Sequence, residues 1–437
     1  MTQSKQSIIQ EMLGLYGQLA ERLTDRRNPG KDNKYTLPDA MRSALAVFYF
    51  QHPSLLNFQQ EMEKRSKRSN LETLFGVTKI SCTDQIKNIV DEVDSRGIEA
   101  AFDLIHGYAQ AHGVLDQYRV LDGVVLIPLD GVWYFSSDTI HCPHCLKMEK
   151  TSKSGKKTTT YYHEIMAAVI VKPGSNVVLP LMPEMIRNED ERIKQDCERN
   201  AAKRWLESHQ KKLSSMNPTY LGDDLYACYP ICRQIVLQGQ SFIFMCKPDS
   251  HPWIMDQVEG ADMENYTYTE KKGKNHLEYR YRWMNGVEIR DNRENLDANY
   301  LYMEIWNKEK GEVTYKNSWI TDKMIDRSNV KHLSECAQSR WKIENEHNNV
   351  LKNRGYNLKH NFGHGQNHAS EVFCLLNLLS FLIHGVEDQV DIDYQKARNS
   401  FGRRDAFFWG MRYEMSRYFH SDWVSLLAAV AGNDPAP

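Results

Sequence analysis

The sequence predicts an α/β protein with helical regions at both ends and a β-rich block set into its core. Three observations carry that prediction. A continuous apolar run, Gly123-Val124-Val125-Leu126-Ile127-Pro128-Leu129-Asp130, interrupts a helical periodicity that holds from the N-terminus. Alternating aromatics such as Tyr266/Tyr268 and Leu277/Tyr279/Tyr281/Trp283 then fill residues 247–326, with turns such as Asn285-Gly286. Helical spacing returns near residue 327 and persists toward the end of the chain.

Residues 1–115 form the first unit. Ile8, Ile9, Met12, Leu13, Tyr16 and Leu19 recur at helical intervals, and breaks fall at Arg27-Asn28-Pro29-Gly30 and His52-Pro53. Ser81-Cys82-Thr83-Asp84 opens a further helix with Ile86, Ile89, Val90 and Val93 on its buried face. Short helices beside the cluster Lys64-Arg65-Ser66-Lys67-Arg68 suit a DNA-binding region, and equally a plain helical packing unit.

The core begins in residues 116–246. The apolar run is a buried strand that ends at Asp130, and strands His163–Val171 and Asn176–Leu181 follow around the turn Lys172-Pro173-Gly174, as in a meander. A polar helix from about Arg192 to Lys212, a strand-like run Thr219–Asp223, a helix Tyr229–Leu237 and a strand Ser241–Cys246 complete this part. Residues 247–326 are the β-rich insertion. Residues 327–385 return to the core with a helix carrying Glu344, the loop Asn361-Phe362-Gly363-His364-Gly365 and an apolar helix over 369–385, and residues 386–437 are a helical tail.

A chain of 437 residues exceeds one ordinary core, so two or three domains are expected. The formal charge of -2 excludes a uniformly basic coat, so phosphate binding has to come from local patches: Lys64 to Arg68, Lys147 to Lys157, Lys271-Lys272-Gly273-Lys274 and Arg403-Arg404. No secretory signal follows Met1, and the nine cysteines lack framework spacing, which points to reduced thiols and a cytoplasmic protein. The run Val372–Ile383 is interrupted by Asn377 and Ser380 and falls short of the roughly 20 residues of a bilayer span. It reads as a buried helix, and no membrane partner is expected.

The chemistry centres on Ser339-Arg340-Trp341-Lys342-Ile343-Glu344-Asn345-Glu346-His347. On a regular helix Arg340, Glu344 and His347 share one face, and Cys336, Ile343 and Val350 line a neighbouring apolar stripe. An Arg/Glu pair at this spacing is common on any helix surface and worth only a few tenths of a kcal/mol. Two aspartates at strand ends, Asp130 and Asp223, give it another meaning. An α/β core can bring three such acids to one sheet edge, where their repulsion calls for a divalent cation. Oxygen-only ligands favour Mg²⁺ or Mn²⁺, and a pair of such ions serves phosphodiester hydrolysis or strand transfer.

Val124 to Asp130, Gly222-Asp223-Asp224-Leu225-Tyr226 and Arg340-Trp341-Lys342-Ile343-Glu344 together resemble the three motifs of DDE transposases of the insertion-sequence-four type. The resemblance covers about residues 40–385. It implies a ribonuclease H-like catalytic core interrupted by a β-rich insertion, with Asp130, Asp223 and Glu344 as catalytic residues and ligands of two Mg²⁺ or Mn²⁺ ions. It prefers Asp223 to Asp224. Of the Tyr, Arg, Glu, Lys signature on the glutamate helix, Arg340 and Glu344 match, the tyrosine falls on Ala337, and the lysine falls on Leu351 with Lys352 one place beyond. Arg340 and Lys352 are thereby assigned to DNA phosphates, with Lys64, Arg65, Lys67 and Arg68 as further DNA contacts. Trp319 or Trp283 of the insertion stacks on an unpaired base or packs the insertion's own core. The implied partners are double-stranded DNA, both transposon ends and target, and a second copy of the chain. A ribonuclease H-like nuclease without end pairing, or a non-catalytic DNA-binding derivative, shares many of these features.

A separate candidate is His141-Cys142-Pro143-His144-Cys145, whose Cys-x-x-Cys spacing suits a structural zinc ion. Cys142, Cys145 and His163 would be ligands, with His141 or His144 beside them. His360, His364 and His368 lie in or next to the glycine-rich loop, which reads as a phosphate contact or a helix cap. Glu184 and Glu198 could add carboxylates to the acidic site, although Glu198 reads as a solvated surface residue.

Overall fold

The computed structural model describes residues 7–27, 34–62, 69–120, 123–187 and 196–432. The basic cluster Lys64, Arg65, Lys67 and Arg68 lies outside the described residues, as does the start of the polar helix expected from Arg192.

Helices α1 (Ile8–Arg22), α2 (Leu37–Tyr49), α3 (Leu55–Met62), α4 (Asn70–Phe75), α5 (Thr83–Asp91) and α6 (Glu99–Ala111) open the chain. Their starts follow capping chemistry: the Ser7 and Thr36 hydroxyls accept from backbone N–H groups of α1 and α2. Strands β1 (Arg119–Val120), β2 (Val124–Ser137), β3 (Leu146–Thr151), β4 (Lys157–Ile170), β5 (Leu179–Pro180) and β6 (Glu184–Ile186) follow. Then come α7 (Glu198–Leu213), β7 (Pro218–Gly222), α8 (Tyr229–Leu237), β8 (Ser241–Met245) and α9 (Pro252–Val258). The aromatic block forms β9 (Glu264–Lys272), β10 (Asn275–Glu288), β11 (Asp297–Asn307) and β12 (Glu312–Thr321). Helices α10 (Val330–Gln338), α11 (Asn349–Asn353), α12 (Ala369–Val390), α13 (Ile392–Asn399), α14 (Arg404–Arg417) and α15 (Trp423–Val430) close the described chain.

The molecule is mixed α/β, and its twelve strands join one mixed sheet with the main order β3-β4-β2-β7-β8-β12-β11-β10-β9. Strands β2, β7 and β8 are parallel, and α7 and α8 make the crossovers. Two strand expectations need correction. The apolar strand does not end at Asp130 but continues to Ser137, because its second half pairs antiparallel with the long β4. The expected strand Asn176–Leu181 contracts to Leu179–Pro180, paired with Ile170 and Val169 of β4.

The β-rich block also differs from a free-standing insertion. Trp319, Ile320 and Thr321 of β12 pair antiparallel with Met245, Phe244 and Ile243 of β8, so the block prolongs the core sheet. The Lys271 to Lys274 cluster is the tip of the β9–β10 hairpin, where Lys272 pairs with Glu270.

The N- and C-terminal helical regions interlock. Tyr49 donates to Glu387 of α12 at 2.8 Å, and Trp423 Nε1 of α15 donates to the Leu74 carbonyl at 2.9 Å. Helix α12 is long and apolar enough to cross a membrane, but 94% of its apolar window is buried against the rest of the chain. Buried Asn70 donates to the carbonyls of Met415 and Tyr418 and accepts from the His420 N–H. Replacing it by Ala strands all three backbone groups, so urea unfolding of Asn70→Ala should show a loss of about 2–4 kcal/mol. A loss under 1 kcal/mol would mean that the two ends are not coupled through this residue.

Candidate active site at the end of the parallel strands

The register that sets Pro128 opposite Leu221 carries Asp130 and Asp223 to the same edge, each two residues further along its strand. Asp223 caps the turn after β7 by accepting from the Leu225 N–H at 2.8 Å. Its neighbour Asp224 points elsewhere, accepting from the Lys247 N–H and pairing with His251 at 3.0 Å. Glu344 arrives from the segment between α10 and α11, its carboxylate held by Arg340 at 2.7 Å and about half exposed. Asp130, Asp223 and Glu344 are therefore electrostatic neighbours. Burial first, then the charges of Glu198, Glu344 and Asp223, opposed by Arg340, together push the Asp130 carboxyl up to about 7.

The glutamate segment is not a regular α-helix. Residues Ile343–Asn348 are π-helical, and the Asn349 N–H bonds back to the Glu344 carbonyl five residues earlier. A π turn accommodates one more residue than an α turn. This has two consequences. His347 does not share the Arg340–Glu344 face: it is fully buried against Phe381, neutral, with burial pushing its pKa down to about 4. Asn348 takes the inward place and donates to Asp130 Oδ2 at 2.8 Å. Further along, Leu351 turns into the core, and Lys352 reaches the acids, where the charges of Asp130 and Glu164 act on it. Burial and Lys359 lower its pKa against that attraction.

One acid of the site, Glu164, escaped the sequence reading, and another, Glu198, was weighed for the site but read as solvated. Glu198, read as a surface residue, is half-buried at the start of α7; it accepts from the Tyr226 hydroxyl at 2.6 Å and from the Gly131 N–H. Burial raises its pKa, and Asp223 adds to the rise. Glu164 on β4 accepts from the Trp133 indole, and burial with Glu198 pushes it up to about 7. Both crowd Gly131, where any Cβ would overlap the Glu198 carboxylate. A carboxylate inside the otherwise apolar run of β4 was the available signal for Glu164. Glu184, by contrast, is tied to Arg204 at 2.8 Å.

The donor set around Asp130 consists of carboxylates and the Asn348 amide, which suits a hard cation such as Mg²⁺ or Mn²⁺. Among the described residues no three carboxylates converge as closely as the Cys/His group described below, whose four ligand atoms all lie within 4.8 Å of one another.

Other DNA-contact expectations need correction. Trp319 and Trp283 are each 1% exposed, since both pack inside the sheet, so neither can stack on a base. An exposed tryptophan does stand three residues before Glu344: Trp341, 42% exposed. Arg403 and Arg404 are paired with Asp405 and Asp388. The Lys147 to Lys157 cluster is the β3–β4 hairpin, whose lysines are exposed. His141 stacks on Tyr161, whereas Cys142, Cys145 and His163 converge with His364. No family model and no curated protein matches this chain, so the reading of the site rests on its own geometry.

Proposed function

We propose that this protein is a DDE-type DNA transposase that cleaves the ends of a mobile element and joins the freed 3′ ends to target DNA. The observation that carries the reading is the approach of Asp130, Asp223 and Glu344 to one sheet edge from segments far apart in the chain. Antiparallel β2–β4 joined to parallel β2–β7–β8, with acids at one end, supports a ribonuclease H-like core. Asp130, Asp223 and Glu344 would hold two Mg²⁺ or Mn²⁺ ions, which when bound activate a water or 3′-hydroxyl and stabilise the leaving oxygen of an in-line displacement.

The chain's own residues supply the rest. Asn348 keeps the Asp130 carboxylate turned into the site. Arg340 orients Glu344, and with Lys352 it places positive charge beside the acids, where a phosphate would otherwise be repelled. Trp341 offers an exposed ring for a base, and the β3–β4 lysines offer a track for the backbone. Working on paired ends calls for two copies of the chain.

The test is cleavage of DNA carrying the sequence that flanks this gene, in Mg²⁺ or Mn²⁺, by the native protein and by Glu344→Gln. Nicking at a defined end that the variant loses is the expected result. Sequence-indifferent cleavage would replace the reading with a nuclease. Specific binding without cleavage would replace it with a non-catalytic DNA-binding protein.

A further inference from the structure

We infer that Cys142, Cys145, His163 and His364 form a closed structural zinc site that pins the chain after the glutamate segment to the strands carrying the acids. The distances are those of a tetrahedron's edges. Cys142 Sγ lies 3.9 Å from Cys145 Sγ and 3.4 Å from His163 Nε2; Cys145 Sγ lies 3.5 Å from His163 Nε2 and 3.4 Å from His364 Nε2. Zinc bonds of ~2.3 Å to sulfur and ~2.0 Å to nitrogen place tetrahedral ligand atoms about 3.4–3.8 Å apart. The cysteines are free thiols, and their sulfur separation is far beyond a disulfide bond.

The surroundings fit a built site. The turn is closed by the Cys145 N–H on the Cys142 carbonyl, and the Cys142 N–H points at Cys145 Sγ, an arrangement that stabilises sulfur as thiolate. Cys145 and His163 are buried, and Phe135 packs against both imidazoles. His364 is positioned by its own loop: Gly365 has φ +67°, and Asp91 of α5 accepts the backbone N–H groups of Gln366, Asn367, His368 and Ala369 at the start of α12. On binding, each thiol gives up its proton to solvent and its sulfur donates an electron pair, so Zn²⁺ with two thiolates and two neutral imidazoles is a neutral centre suited to burial. Four protein ligands leave no position for a substrate, which makes the role structural.

The site links the β2–β3 connection, β4 and the α11–α12 loop. His163 and Glu164 are neighbours on β4 and point to opposite faces, so the zinc cluster backs the strand that carries an acid of the other site. Its existence does not depend on the DNA chemistry.

The experiment is elemental analysis of full-length protein purified without chelators, with His364→Ala, Cys145→Ser and His144→Ala alongside. About one zinc per chain in the native protein and in His144→Ala, with loss in the other two, is expected. Cobalt exchanged into the native chain should give intense tetrahedral d–d bands and a thiolate charge-transfer band, a readout that does not rely on variants that fold poorly. A folded native protein with neither stoichiometric zinc nor a tetrahedral cobalt spectrum would overturn the assignment. So would a chain that keeps its zinc in His364→Ala and loses it in His144→Ala.

Discussion

Asp130→Asn should abolish metal-dependent cleavage, by roughly 10³-fold or more, while leaving the fold intact. The substitution keeps the size of the side chain and an oxygen to accept from Asn348, so little packing is lost. What disappears is the charge at the centre of the acidic group, the residue on which Glu198, Glu344 and Asp223 all act. If bound cations supply several kcal/mol of transition-state charge stabilisation, each ~1.4 kcal/mol forfeited is a tenfold loss in rate. Single-turnover cleavage measured beside a DNA-binding isotherm separates this from a binding defect. A variant that binds normally and cleaves within tenfold of the native rate would remove Asp130 from the chemistry.

A second large effect is expected on stability and its pH dependence without divalent cations. Burial and like charges raise Asp130 and Glu164 to about 7 and also raise Glu198 above the ordinary carboxylate range. The folded protein therefore holds more protons than the unfolded chain between the usual carboxylate pKa and about 7. The contribution of these three groups to stability must fall as pH rises through that window, by about 2–4 kcal/mol when the coupled groups are discounted together. Mg²⁺ or Mn²⁺ should recover the loss near pH 8 and have little effect near pH 5, where protons compete for the same oxygens. Asp130→Asn should remove the Asp130 share of this dependence and leave that of Glu164. Urea midpoints of the native protein and of Asp130→Asn across this range decide the matter, and a native-minus-variant difference that does not fall with pH, or one indifferent to the cation, would contradict the electrostatic picture of the site.

These expectations rest partly on features that a single sequence displays and partly on ones it conceals. Helix α8 and strands β7 and β8 lie within a residue of where periodicity places them, because their signals are local: an apolar face at helical spacing or a short apolar run bounded by turns. The Cys-x-x-Cys turn and the Arg340–Glu344 pair are local in the same sense. Glu198 looked solvated because a polar helix start is ordinarily exposed; only the packing of α7 over Gly131 buries it. Trp319 could be read either as a ring for a base or as part of the insertion's own core; the structure buries it in the sheet where β12 pairs with β8.

By itself, then, the sequence displayed most of the helix and strand signals, the three candidate acids, the thiol pair and the buried character of α12. Tertiary structure alone decided which distant residues meet. Nothing in the spacing between His163 and His364 announces that they share a cluster, and nothing in the composition of residues 343–348 announces a π turn that buries His347 and turns Asn348 toward Asp130. The physical reason is that periodicity records which face of an element is buried, whereas register, crossover and helical phase are settled by contacts between segments far apart in the chain.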